Sequence, residues 1–264
     1  MSLRVHGHFG EWVQGRLGSD GPVALVTVAC PAMWASAERT GDGALSLEQT
    51  PHLLTPERAR DFLVRIGGRA GHYRLCATMP PGGGAGASTA ALVALARAAQ
   101  GDPDKLVAAC LAVEGASDPL MLPHPDRVVW ASRVGQVLAA LPPLPRAEVI
   151  GGFWGPPVAT DPTDMAFPDV ADLVARLSQA PDLPELARIA TLSAQRCTAL
   201  RGPSDDPTES VAHRLGALGV LRAHTGSARG LIFAPGQVPA VADRVLQHAG
   251  FRQVIRFCTG GCAP

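Results

Sequence analysis

Apolar residues in the first 35 positions fall in short β-rich stretches rather than at helical spacing. Val5, Val13, Val23, Leu25, Val26 and Val28 mark these stretches, and Gly10, Gly15, Gly18 and the Ser19-Asp20-Gly21 turn break them, which predicts strands. Thr55 before Pro56 predicts a capped helix start with proline at its first position, running to Ile66. Alternation over 73–78 predicts another strand. It leads into Pro80-Pro81-Gly82-Gly83-Gly84-Ala85-Gly86-Ala87, then into 88–100, which is apolar on nearly every face and reads as a buried helix ending at Gly101. Asp102-Pro103-Asp104 opens a helix over 105–114 stopped by Gly115, and a further helix is expected over 126–141.

Pro142-Pro143-Leu144-Pro145 is the clearest boundary signal and divides the chain into 1–145 and 146–264. Beyond it, 147–153 reads as a strand. Helices follow at about 168–180, 183–200 and 207–218, then a strand pair (219–223 and 230–234), a helix (238–249) and a last strand (251–257). Strands and helices mixed without strict alternation predict an α+β fold. No internal repeat is visible.

Composition excludes several function classes. The 264 residues carry no net charge and only 17% charged side chains, and a single Tyr offers no stacking platform, so nucleic acid is not an expected partner. Lys105 is the only lysine. A Walker-type loop needs a lysine beside its glycines, and none is there. No run of about 20 apolar residues predicts a membrane span, and Met1-Ser2-Leu3-Arg4 does not begin a signal peptide. Cys30, Cys76, Cys110, Cys197, Cys258 and Cys262 lack a C-x-x-C pair and read as reduced thiols of a cytoplasmic protein, with Cys258 to Cys262 a feature of the tail. His6 and His8 share a strand face without a third metal ligand nearby, which favours a structural role.

The chemistry concentrates in a few segments. Glycines at 82, 83, 84 and 86 let backbone N–H groups approach an anion, and the helix behind them adds its own N–H groups and dipole. That describes a phosphate cradle with Ser88 and Thr89 at its rim, although a glycine loop also serves as a plain turn. Glu114 and Asp118 flank the helix-ending Gly115 and can converge on one point, one for Mg²⁺ and one for a hydroxyl nucleophile; a solvated helix end is the ordinary alternative. Glu11, in the strand-like 8–15 stretch, must face solvent or find a polar partner. His224-Thr225-Gly226-Ser227 forms a second glycine turn with hydroxyls.

Together these segments resemble the GHMP kinases (galactokinase, homoserine kinase, mevalonate kinase, phosphomevalonate kinase), whose middle motif, Pro-x-x-x-Gly-x-x-Ser-Ser/Thr-Ala, is matched by Pro80 or Pro81 through Ala90. Within that superfamily the chain is most similar to the L-threonine kinases of cobalamin synthesis, often encoded with propanediol utilisation. The likeness lies in Gly7 to Gly15, Val26 to Pro31, the acidic pair and His224 to Ser227. The chain departs from them in the Glu114-x-x-x-Asp118 spacing, in Ala87 where a first serine is common, and in His8-Phe9 where Thr-Cys is common.

The resemblance implies an N-terminal half like ribosomal protein S5 domain 2 and a ferredoxin-like C-terminal half, with ATP and substrate in the cleft between. It implies ATP bound by Pro81, Gly82, Gly83, Gly84, Ala85, Gly86, Ala87, Ser88 and Thr89, and Mg²⁺ held by Ser88 and Glu114. Asp118 would orient or deprotonate the acceptor hydroxyl. A hydroxy-amino acid would meet Glu11 at its ammonium and an arginine, with the Thr225/Ser227 turn, at its carboxylate, and Gln14, His224 and Gly226 would also belong to the substrate site. L-Threonine is the expected acceptor and a homoserine-like metabolite the alternative; a homodimer is left open.

Two other classes compete. Gly86-Ala87-Ser88-Thr89-Ala90 falls one residue short of a nucleophile elbow, so Ser88 could serve a hydrolase whose triad is completed by an acid (Asp126 or Asp161) and a histidine (His213, His224 or His248). A nucleotide-binding module without catalysis is the non-enzymatic reading.

Overall fold

The computed structural model describes residues 4–260. Met1-Ser2-Leu3 and Cys262 lie outside them. Two long strands set the frame: β1 (Val5–Arg16) and β2 (Val23–Gly41) pair antiparallel. Their register shifts between His6 and Gly7, His8 and Glu11, and Glu11 and Val13. Such bulges re-aim side chains, and here the backbone turns through a left-handed Gly10 (φ +68°). As a result β1 buries Phe9, Trp12 and Val13 together with the polar His8, Glu11 and Gln14.

β3 (Ser46–Thr50), α1 (Pro56–Arg65) and β4 (His72–Ala77) follow. Thr55 caps α1 as expected, its hydroxyl accepting from the Arg58 N–H at 3.3 Å with Pro56 in the first turn. α2 (Ala87–Ala98) is buried along nearly its whole length. A 3₁₀ turn at Pro103–Lys105 leads into α3 (Leu106–Glu114).

The helix expected over 126–141 is absent. A 3₁₀ turn at Pro125–Arg127 is followed by a hairpin of β5 (Val128–Ala131) and β6 (Gln136–Ala140). Val128, Val129 and Trp130 favour extended backbone, and Gly135 turns the chain with φ +66°. Every residue of β6 is exposed, so no alternation marks it as a strand.

The second half contains β7 (Glu148–Phe153), α4 (Ala171–Leu177), α5 (Leu183–Arg201), α6 (Thr208–Leu215), β8 (Gly219–Arg222), β9 (Ala228–Phe233), α7 (Ala242–His248) and β10 (Arg252–Cys258). Each matches an expected element, with α4, α6 and α7 shorter. The order β10-β7-β9-β8, antiparallel throughout, is the arrangement of a ferredoxin-like βαββαβ unit. The full sheet order is β10-β7-β9-β8-β1-β2-β4-β3, with β5 also pairing with β2 and β6 pairing with β5. The fold is α+β. Phe9 of β1 lies edge-on to Phe153 (5.6 Å) and Phe257 (5.8 Å), which ties the first strand into the core of the last ones.

None of the five described cysteines forms a disulfide. Among the described residues, no helix is long and apolar enough to cross a membrane.

Candidate functional site

Residues 81–89 line a cavity of about 350 Å³ that His8, Glu11, Gln14, Glu114 and Asp118 also face. Gly82, Gly84 and Gly86 are left-handed, with φ of +68°, +72° and +71°, a conformation that a Cβ penalises. This alternation turns the loop carbonyls toward the scaffold. Gly82 O accepts from Val158, Gly83 O from Ser227 and Ala228, Gly84 O from Gly10, and Ala85 O from His8. Among the described residues, the N–H groups of 84–89 find no acceptor in the protein, and Gly86 caps α2 without a side-chain hydrogen bond. Open amides at a helix N-terminus form an anion cradle.

Beside the glycine loop, Ser88 Oγ and Glu114 Oε1 are among the buried side-chain oxygens of cavity-lining residues that lack hydrogen bonds. Arg58 Nη1 lies 3.4 Å from Glu114 Oε1 but is not aligned to donate. A hydroxyl and a carboxylate are hard donors that suit Mg²⁺, which takes its remaining ligands from phosphate and water. The residues present fit that ion. Among the described residues no three His, Cys, Asp or Glu side chains cluster as a ready-made metal site, so a metal held here would depend on the nucleotide's oxygens.

Gly115 (φ +69°) ends α3, and the turn after it is held by the β5–β6 hairpin. Ser117 N donates to Ser132 O at 2.9 Å, and Trp130 Nε1 donates to Ser117 O at 2.7 Å. Asp118 thereby reaches the first turn of α2: its N–H donates to Thr89 Oγ1 at 3.2 Å, and Thr89 Oγ1 donates to Asp118 Oδ2 at 3.4 Å. Glu114 and Asp118 thus face one cavity despite their spacing.

His8 completes the constellation. Its Nε2 lies 3.4 Å from Asp118 Oδ2 and its Nδ1 lies 3.2 Å from Gly10 O. Burial alone would lower its pKa, but Asp118, Glu11 and the Gly10 carbonyl outweigh that and raise it to about 9. Conversely, burial would raise Asp118, but the His8 imidazolium, Thr89 and Arg133 hold it below the ordinary carboxylate range. Burial pushes Glu11 up to about 7 against the pull of His8. A buried polar chain continues inward: Glu11 Oε2 accepts from His224 N (3.3 Å), His224 Nε2 meets Ser193 Oγ (3.2 Å), and Ser193 Oγ accepts from Gln14 N (3.2 Å). Burial and the nearby Arg222, Arg201 and Arg229 push His224 well below its ordinary value.

Of the residues expected at the acceptor, Glu11, Gln14 and Thr225 line the cavity, and Gln14 Oε1 is buried without a partner. His224 stands behind Glu11. Gly226 and Ser227 buttress the loop: Ser227 N bonds Gly83 O, and a Cβ on Gly84 would sit 3.3 Å from Gly226 Cα. His8, expected to be structural, lines the cavity, because the β1 bulge turns it inward while His6 stays exposed. Among the described residues, Ser88 Oγ has no hydrogen-bonded base and His224 is engaged with Ser193, so this geometry does not support the hydrolase alternative. The sequence reading missed Arg58, Arg133, Ser117, Ser132 and Thr160, all of which line the cavity. Arg133 and Ser132 fell inside the segment misread as a helix.

This fold is the one shared by the GHMP kinases. A mevalonate kinase superposes with a TM-score of 0.67 at 10% identity, covering 98% of both chains. Homoserine kinase from Cytophaga hutchinsonii gives 0.58 at 14% identity, over 98% of this chain and 94% of its own. A 4-(cytidine 5'-diphospho)-2C-methyl-D-erythritol kinase gives 0.55 at 20% identity, over 99% and 100%. No protein-family model and no curated protein matches the chain.

Proposed function

We propose that the protein is an ATP-dependent small-molecule kinase that phosphorylates a hydroxyl group, with L-threonine as acceptor. The observation that carries this reading is the loop at 82–89, where the carbonyls of 82–85 are bound to the scaffold while the amides of 84–89 stay open, beside Ser88 Oγ and Glu114 Oε1, which accept no hydrogen bond. Mg²⁺-ATP bound there supplies the phosphoryl group and its counter-charge.

The chain's own residues position and screen. The loop amides and the start of α2 face the phosphates, while Ser88 and Glu114 hold the ion. Asp118 stays ionised beside His8 and accepts the proton-bearing side of the acceptor hydroxyl. A carboxylate held below its ordinary pKa is a weak base, so Asp118 acts chiefly by orientation, which suits a transfer that needs little covalent help. Glu11, titrating near 7, and Gln14 Oε1 are acceptors suited to an ammonium group. The resemblance to L-threonine kinases favours threonine; a homoserine-like acceptor is the second reading, favoured by the same polar groups.

ADP release measured across hydroxy-amino acids, sugars and mevalonate tests this. Turnover is expected with L-threonine, and Asp118→Asn should lower kcat at least about 100-fold with ATP affinity nearly unchanged. Absence of turnover with every acceptor would overturn it.

A further inference from the structure

The wall of the cavity beyond Asp118 carries polar groups that the kinase reading leaves unused. Ser117 Oγ, Ser132 Oγ and Arg133 Nε are all buried and without hydrogen-bond partners, and all three residues line the cavity. They belong to one local unit. Ser117 is clamped to the hairpin by Ser132 O and Trp130 Nε1, and Arg133 follows directly on Ser132.

Arg133 has no carboxylate within ion-pairing distance among the described residues. Asp164 is taken by Arg201 (2.6 Å), Asp161 Oδ1 accepts from Thr163, and Arg133 donates to the Asp161 carbonyl through Nη2 (3.2 Å) while its guanidinium lies 5.9 Å from the Phe167 ring centroid. Arg58, another cation on the cavity, already faces Glu114. Three desolvated donors in one patch incur the full cost of unmade hydrogen bonds unless an acceptor arrives. A guanidinium fork flanked by hydroxyls matches a carboxylate.

We infer that Arg133, Ser117 and Ser132 form the subsite for an anionic group on the acceptor, a carboxylate borne beside its reactive hydroxyl. The inference rests on the kinase reading and deepens it, because it moves the anionic end of the acceptor away from the Thr225 turn. It also gives the cavity both kinds of partner, with Glu11 and Gln14 as acceptors and this patch as donors, which is the pattern of a zwitterionic hydroxy acid.

The test compares the acid with its neutral analogue, L-threonine with L-threoninamide, in the ADP-release assay on the full chain. In the wild type the acid is expected to have a KM about 10- to 100-fold below that of the amide, the range of a charged hydrogen bond. Arg133→Met should erase that ratio by raising KM for the acid alone. Ser132→Ala, which removes a hydroxyl that holds no partner in the fold, should reduce the ratio without loss of thermal stability. Equal KM values for acid and amide in the wild type would overturn the subsite while leaving the kinase reading intact. So would an equal fall in kcat for both in Arg133→Met, the signature of a phosphate clamp. Absence of ADP release with any acceptor would instead strike the kinase reading.

Discussion

His8 Nε2 stands 3.4 Å from Asp118 Oδ2 while His8 Nδ1 faces the Gly10 carbonyl at 3.2 Å. A carbonyl only accepts hydrogen bonds and so does an ionised carboxylate, so these two neighbours favour a proton on each ring nitrogen. The partners, rather than the solvent, favour an imidazolium.

The His8 ring is therefore expected to titrate near 9 when its C–H resonances are followed by NMR. The linkage has a definite sign. A histidine whose folded pKa lies above its unfolded value stabilises fully below about 6.5 and loses that contribution as pH rises to about 9. The melting temperature should fall over that window in the wild type and lose this component in His8→Gln. A ring that titrates below 6.5 would refute the pairing.

Ser88→Ala separates binding from folding. The hydroxyl is buried yet bonds to nothing in the protein, so removing it forfeits no internal hydrogen bond and the urea midpoint should stay put. If Ser88 completes a Mg²⁺ site, the same change should weaken binding of Mg²⁺-ATP about tenfold or more. Calorimetry with and without Mg²⁺ reads this directly, and equal affinity in the two proteins would remove Ser88 from the metal site.

The glycine loop and the Thr55-Pro56 cap were legible because each is written locally, in a run of residues whose backbone preferences admit few alternatives. The ferredoxin-like order of β7–β10 was not legible from pattern; only the likeness to a family implied it. The hairpin of β5 and β6 was misread because Val134, Val137 and Leu138 stand at i, i+3 and i+4, as on a helix face, and an exposed β6 supplies no contrasting period. Arg133 was lost with it. The His8–Asp118 pair was out of reach for a different reason: it depends on a bulge in β1 and on a turn after α3, two distant events that no local window connects.

Gly84→Ala tests how tightly the loop is built. At φ +72° a side chain is strained, and its Cβ would overlap Ala223 Cβ and sit 2.7 Å from the Thr225 carbonyl. Left-handed strain of about 1–2 kcal/mol adds to overpacking of about 1–3 kcal/mol, so a loss of several kcal/mol is expected together with nucleotide binding. Gly18→Ala is the comparison, since Gly18 is also left-handed (φ +85°) but open on every side. It should incur only the conformational part. Equal midpoints for the two variants in urea would show that the loop has room to spare.

Arg222 and Arg229 are opposite partners on β8 and β9, and both are more than nine-tenths buried. Like charges facing each other across a sheet destabilise it, and burial strengthens the repulsion. Asp206 offsets this, with Oδ2 accepting from Arg229 Nε at 2.7 Å; Arg222 has only Thr198 Oγ1 (2.5 Å) and a carbonyl. Burial would raise Asp206, but Arg229 and Thr208 outweigh it and hold its pKa below the ordinary value. Its contribution to stability is thus present above about pH 4 and lost as pH falls through the lowered folded pKa. Asp206→Asn leaves the buried Arg229 guanidinium without its paired carboxylate, and breaking such a pair costs about 3–5 kcal/mol. Asp42→Asn removes the partner of Arg39 at the surface, where Asp42 is 92% exposed, and should leave the urea midpoint unchanged. If Asp206→Asn is equally silent, solvent or a bound anion must already neutralise the arginine pair.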